Sequence, residues 1–296
     1  MPSVQCPVCG GTNHRKLFIK DGFPYIKCHD CKLISVYPQP SDGELDNIYK
    51  KGYYSVWGEN ENVFCTMKRF LFSKLFDLYP ALKDGDGKCL CDIGAATGIL
   101  MEVARDFGYE VYGIECSDDG AECIKEKFGA ERVLHDYFGN NDFAGIGWVN
   151  KFDVVVMYDL FEHVRDVDMA LKKTAVILKP GGIVVIVSPD TSSWSCHLFG
   201  RRWPHFIPEH LFQFNKKNLS SLLTRHEFEK LYTGNLCKYL SLDYFAGVAR
   251  KEFPGVLSVL FSRITALLPR CFSQKLYFPF WCGTMIGIFR KSDLEQ

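Results

Sequence analysis

The 296-residue chain lacks an excess of either charge: 35 Lys and Arg stand against 35 Asp and Glu. A general nucleic-acid binder needs a basic surplus, so that class is disfavoured at once. It also lacks a long apolar run. The two most apolar late stretches, Val256 to Leu268 and Tyr277 to Phe289, are interrupted by Arg263 and Pro279. Neither reaches the roughly 18–20 uninterrupted apolar residues of a membrane-spanning helix. No internal repeat or low-complexity tract occurs, and no apolar leader precedes Cys6. The 13 cysteines are therefore expected to be reduced, in a cytoplasmic setting, and to serve as metal ligands or core filler before disulfides. Aromatic residues, by contrast, are plentiful at 15%.

Cys6-Pro7-Val8-Cys9 and Cys28-His29-Asp30-Cys31 form two C-x2-C pairs separated by 18 residues. Two thiolates from one tight turn grip one side of a tetrahedral ion, and a second turn supplies the other side. Short strands over 16–20 and 25–27 complete the expectation of a structural Zn2+ ribbon bound by Cys6, Cys9, Cys28 and Cys31. Five basic residues against two acids between Thr12 and Lys32 give +3. Four thiolates on one Zn2+ reduce this to +1, which demands no nucleic-acid face. Tyr37-Pro38-Gln39-Pro40 marks a boundary, and Ser41 with Glu44 has the spacing of a capping box. The expected organisation is a ribbon over 1–40, a helical linker or cap over 41–87, and a main domain over 88–296 with an insertion at 236–280.

From Lys88 onward, short apolar runs alternate with amphipathic helical patterns. The runs are Cys89–Ile93, Glu110–Ile114, Phe152–Tyr158 and Gly182–Val187; the helices are Ile99–Phe107, Asp118–Lys127, Val167–Leu178 and Lys216–Arg225. Fully apolar runs between helices signal a parallel sheet buried on both faces, hence a doubly wound α/β fold. An antiparallel hairpin of Phe228–Tyr232 and Gly283–Phe289 is expected to close the sheet.

At the first strand-to-helix turn stands Asp92-Ile93-Gly94-Ala95-Ala96-Thr97-Gly98. The G-x-G-x-x-G fingerprint of dinucleotide folds is missing, and a nicotinamide dehydrogenase is correspondingly disfavoured. An acid at this position repels a pyrophosphate and suits a ligand carrying an ammonium and a sulfonium. Glu115 ends the second run, where an acid can accept from both hydroxyls of a ribose.

These motifs, with Phe152-Asp153-Val154-Val155, Glu162-His163-Val164 and Leu178-Lys179-Pro180-Gly181-Gly182, occur in an order that resembles the class I S-adenosylmethionine-dependent methyltransferases. The resemblance runs from about Lys88 to Arg290 and departs at Ala96, where many relatives carry glycine. It implies a Rossmann-like seven-stranded sheet. It also implies S-adenosylmethionine as cofactor, with its methionine part on Asp92, Gly94, Ala95, Thr97 and Gly98. By the same likeness Glu115 holds the ribose, Asp136 faces the adenine, and Asp159 and Leu160 line the pocket. A cysteine ribbon followed by Tyr-Pro-x-Pro, Tyr53-Tyr54, Trp203-Pro204 and Pro208-Glu209-His210-Leu211 is similar to bacterial enzymes of sugar and cell-surface polysaccharide biosynthesis. That narrower likeness implies a sugar, glycan precursor or other small metabolite as acceptor of O- or C-methylation, nucleotide- and lipid-linked forms included.

Methyl transfer to an alcohol benefits from a general base. His210 and His163 are the leading candidates, with Glu209 as orienter; His205 ranks behind them. Arg201 and Arg202, beside Trp194 and Trp203, suit a diphosphate. From 244 to 291 seven basic residues face one acid among many Phe and Leu, a composition suited either to a lid or to peripheral contact with an anionic membrane. Two rival functions stand beside the main reading. One is an RNA methyltransferase using the ribbon, weakened by zero net charge and by the absence of an Asn/Asp-Pro-Pro-Tyr/Phe motif. The other is a non-catalytic adapter that binds the cofactor.

Overall fold

The structure is a computed structural model; it describes residues 4–45, 61–241 and 277–292. Ile48-Tyr49, Tyr53-Tyr54 and most of the 236–280 and 244–291 stretches lie outside the described residues.

The main sheet has seven strands. In chain order they are β4 (Cys89–Ile93), β5 (Glu110–Glu115), β6 (Val133–His135), β7 (Phe152–Tyr158), β8 (Leu178–Pro189), β10 (Phe228–Ser241) and β11 (Tyr277–Lys291). Their spatial order is β10-β11-β8-β7-β4-β5-β6. Five strands are parallel, and β11 inserts antiparallel between β8 and β10. From β4 the chain winds outward through β5 and β6, then returns to β7 on the other side. The carboxyl ends of β4 and β7 thus flank the switch point where open α/β sheets bind ligands.

Side-chain alternation explains why both faces are covered. Val154 and Val156 join Leu71, Phe72, Leu75 and Phe76 of α1 (Glu61–Leu78) and the apolar side of α2 (Ile99–Asp106). Val155 and Met157 join Leu171 of α4 (Val167–Ile177) and Leu219, Leu222 and Leu223 of α6 (Lys216–Arg225) on the opposite face. Helix α3 (Asp118–Phe128) joins the first face through Ile124 and is capped by Ser117, which accepts from Gly120 N. The closing strands are longer than the sequence suggests. Pro279 reads as a break, yet β11 pairs with β8 only from Thr284 onward. Beyond that point it forms a two-stranded ribbon with β10, away from a central ladder, where proline is tolerated.

A second sheet has the order β1-β2-β3-β9, built from His14–Lys20, Phe23–Cys28, Ile34–Val36 and Phe212–Gln213. Its last strand comes from the loop after β8, through the pairs Ile34↔Gln213 and Ser35↔Phe212. Arg225 reinforces this junction by donating to the carbonyls of Pro7 and Val8. Phe206 packs edge to face against Phe18, Tyr25 and Trp203, and Trp203 is fully buried. Trp203 thereby anchors the 193–208 stretch, whose residues Trp194, Leu198, Arg201 and Arg202 stay exposed. The stretch contains α5 (Trp194–Phe199), and Trp203 donates its indole N–H to Ser195 Oγ.

Candidate active site

Strand β4 ends in a turn that only particular backbones can make. Gly94 and Gly98 both have φ of +77°, and Ala96 has φ of +49°. The left-handed conformation at Ala96 is one that glycine adopts without a Cβ penalty, so this turn holds its alanine at some cost. Crowding matters as much as torsion: a Cβ added to Gly94 would stand 3.0 Å from Leu160 Cδ1. Leu160, from the turn after β7, is thereby brought against the glycine turn. The N–H groups of Gly94 and Ala95 donate to Ile114 O at 2.8 and 3.1 Å, fastening the turn to β5.

Asp92 is 3% exposed at the centre of this switch point. Burial first, and the neighbouring Glu115 charge second, push its carboxyl up to about 8, while Lys68 pulls the other way. No local pattern marks Lys68; its approach depends on how α1 lies across the sheet. Its ammonium also sits 5.3 Å from the ring centre of Tyr158.

Glu115 is 5% exposed and already organised. Its Oε1 accepts from Ser117 N and Oγ at 2.9 and 2.7 Å, and its Oε2 accepts from Ala96 N at 2.8 Å. A carboxylate offers about four acceptor positions, so Oε2 retains room for a ligand hydroxyl. Gly120, unremarked in the sequence, lets α3 approach: a Cβ there would meet Ala96 O and Ser117 Oγ at 2.7 Å. Asp136 follows β6 directly, one residue past the Glu115↔His135 pair, and accepts from Tyr137 N and Asn140 Nδ2. Thr97 faces α3 with its carbonyl, which accepts from Lys127 Nζ at 2.8 Å. Asp159 adopts φ of +50° and donates its N–H to Val187 O.

Past Leu160 a single 3-10 turn, Phe161–His163, carries Glu162 and His163. Phe161 stacks on Phe214 with ring centres 5.3 Å apart, locking this turn to the segment after β8. That segment delivers His210, whose ring lies 4.6 Å from that of His163, edge to face. The two leading base candidates thus meet, although they are far apart in sequence. At Nδ1 the partner of His210 is the carbonyl of His205, 2.9 Å away, rather than the expected Glu209 carboxylate. Glu209 and His210 lie in a turn closed by His210 N donating to Ile207 O at 3.1 Å, and adjacency in that turn does not bring their side chains together. Glu209 instead offers its backbone carbonyl to the His163 ring. Burial holds His163 down at about 4, so its imidazole is neutral near pH 7. Arg201 and Arg202 lie apart from this pair, in a shallow surface depression with Ile19 and Lys20.

The four amino-terminal cysteines converge. Their sulfurs all lie within 4.8 Å of one another, with Cys6–Cys31 and Cys9–Cys28 at 3.5 Å. Four sulfurs each about 2.3 Å from one tetrahedral ion stand roughly 3.8 Å apart, so the spacing fits a single zinc. A hydrogen bond from the Cys31 thiol lowers Cys6 to about 5 and correspondingly raises Cys31, so the two sulfurs share a proton.

Residues 67–233 match a family described as Methyltransferase domain. Among curated proteins, the ubiquinone biosynthesis O-methyltransferase of Rhodopseudomonas palustris is 29% identical over 155 residues, covering 51% of this chain and 61% of the relative. That of Brucella anthropi is 33% identical over 134 residues, covering 44% and 54%. The chain thus spans only about half to three fifths of these relatives. Among solved structures, the 1,6-didemethyltoxoflavin-N1-methyltransferase of Burkholderia thailandensis, bound to 1,6-didemethyltoxoflavin and S-adenosylhomocysteine, aligns with a TM-score of 0.52. It is 13% identical and covers 94% of this chain and 99% of that one, a likeness of fold.

Proposed function

The chain belongs to the methyltransferase domain family, and from that premise we propose that it transfers a methyl group from S-adenosylmethionine to an oxygen of a small-molecule acceptor. The observation that carries this reading is Asp92: a carboxyl buried at the sheet's switch point, beside a glycine turn and a pre-organised Glu115. Such a group is costly without a cation and well suited to one. The donor set fits the cofactor. Asp92 would take the ammonium end, the Gly94–Gly98 turn the adjoining backbone, Glu115 a ribose hydroxyl, and Asp136 the adenine edge. When bound, S-adenosylmethionine supplies a methyl group on a sulfonium leaving group; the protein's share is distance and angle. Asp159 and Leu160 close the pocket beside the turn, and His210 and His163 stand at its acceptor end, with Glu209 holding the His163 ring through its carbonyl.

The ubiquinone-pathway names of the relatives support an oxygen acceptor and a small molecule. Within that class we carry forward a sugar or glycan precursor, on the likeness of the cysteine pairs and the Trp-Pro and Pro-Glu-His-Leu segments. The cation-lined depression at Lys20, Arg201 and Arg202 suits the diphosphate of a nucleotide-linked form. The amino-terminal cysteines would hold a structural Zn2+ in a ribbon over 1–40, followed by a 41–87 cap and an 88–296 catalytic domain. Reduced thiols suit a cytoplasmic setting.

A native mass spectrum with and without S-adenosylmethionine tests the reading. The wild type is expected to gain one cofactor mass, and Asp92→Ala to lose it. Identical spectra for the two proteins would sink the proposal. Acceptor screening then starts from nucleotide sugars and dihydroxylated aromatics, followed by methyl transfer from labelled cofactor.

A further inference from the structure

At the acceptor end, Glu162, His163 and His210 come together from two separate segments, the turn after β7 and the loop after β8. One ligand-capable atom from each lies within 4.8 Å of the other two. Glu162 is 1% exposed and His210 is 7% exposed, so the group is withdrawn from bulk water. Hydrogen bonds to ordinary peptide carbonyls would suffice to explain one buried histidine. They do not explain why two imidazoles and a carboxylate converge on a common point.

The surroundings of the cluster resemble those of a built metal site. Metal-binding imidazoles characteristically donate their second ring N–H to a carbonyl or carboxylate, which fixes the tautomer and aims the remaining lone pair. Both histidines do this here: His210 Nδ1 bonds to His205 O at 2.9 Å, and the His163 ring bonds to the Glu209 carbonyl. The His205 carbonyl is itself braced. Gln213 Nε2 donates to His205 O at 3.1 Å and to His210 O at 3.2 Å. On the other side, His163 N bonds to Leu160 O at 2.9 Å, and Phe161 stacks on Phe214.

We propose that Glu162, His163 and His210 bind one divalent transition-metal ion, separate from the cysteine cluster, with a coordination position open to a hydroxyl oxygen of the acceptor. Two imidazoles and a carboxylate suit zinc, iron, cobalt or nickel rather than calcium or magnesium, which prefer all-oxygen shells. Three protein ligands leave a position for an exogenous oxygen, as in catalytic rather than structural sites. A divalent ion with one carboxylate and two neutral imidazoles carries +1, which one ionised hydroxyl neutralises. The ion part stands on the three side chains alone; the acceptor part rests on the methyl-transfer reading.

Cobalt(II) separates the two clusters in the full-length protein, because thiolate-bound cobalt shows intense charge-transfer absorption and imidazole–carboxylate cobalt shows only weak d–d bands. Demetallated wild type is expected to take up two equivalents, one of each kind. His210→Gln and the near-isosteric Glu162→Gln are expected to lose the weak-banded equivalent and keep the thiolate one, whose presence also certifies that the amino-terminal sheet is folded. Wild type that binds only the thiolate equivalent overturns the site, as does a second equivalent that persists in both variants. S-adenosylmethionine binding, measured on the same samples, keeps the two readings apart. Cofactor bound with no second ion removes this site and spares the function. A second ion bound with no cofactor does the reverse.

Discussion

Asp92 shows how one residue couples fold to ligand. Its carboxyl titrates near 8 because burial and Glu115 oppose its charge. An exposed aspartate in the unfolded chain titrates near 4. Between those values the cofactor-free folded chain keeps a proton that the unfolded chain has lost. The stability this group contributes is therefore complete below about pH 4 and is lost as the pH rises to 8. Ligand binding runs the opposite way, because an ammonium beside Asp92 favours the ionised form. Below pH 8 binding must expel the proton, so affinity for S-adenosylmethionine is expected to weaken by up to about tenfold per unit as the pH falls. Calorimetry across pH 6–9, in buffers of different ionisation heat, reads both the slope and the released proton. Asp92→Asn should bind weakly with no such slope; a wild-type slope retained in that variant would assign the proton elsewhere. Asp92 was legible in the sequence because a strand-end acid before a glycine turn has a chemical meaning. Lys68 was not, since no local pattern places an α1 ammonium near β4.

Among the elements, those with local rules were the most readable. Helix α6 begins where Asn215 accepts from Lys217 N and Asn218 N, while the Asn218 side chain accepts from Asn215 N in return. Asn215→Ala removes the side-chain half of that exchange, leaving Asn215 N free to donate to Asn218 Oδ1, and should cost about 1 kcal/mol, typical of a lost cap. Urea denaturation should show a lower midpoint with an unchanged slope, and a changed slope would mean that the substitution reaches beyond the cap. The Ser41–Glu44 exchange was legible in the same way, with Ser41 N and Oγ each donating to Glu44 Oε2 at 2.7 Å. Strand β9 was invisible, because two residues carry no period. So was the meeting of His163 with His210: each was a candidate on its own position, and the stacking of Phe161 on Phe214, far apart in sequence, helps bring their segments together.

At the scale of the whole molecule, the consequential feature is that the cysteine-bearing sheet and the His210 segment are one structure. Strand β3 follows the second cysteine pair and hydrogen-bonds β9, and β9 lies between His210 and Phe214. Arg225, at the end of α6, binds the carbonyls of the first cysteine turn and pairs with Asp168 of α4. The Asp92 turn, by contrast, is built by β4, β5 and α3. Loss of the proposed cysteine-bound metal should therefore loosen the walls around His210 while sparing the Asp92 turn. A general chelator would confuse this site with the His–Glu cluster, so paired Cys9→Ser and Cys31→Ser substitutions are the cleaner perturbation. The expected outcome is an acceptor KM raised by about tenfold or more, as loss of about 1.4 kcal/mol of positioning would give, with S-adenosylmethionine affinity within about twofold of wild type. Equal losses in both would show that the cysteines stabilise the entire chain, and no change in either would make the amino-terminal sheet an independent module. The β3–β9 hydrogen bonds favour the first outcome: a sheet shared by two segments passes disorder in one directly to the other.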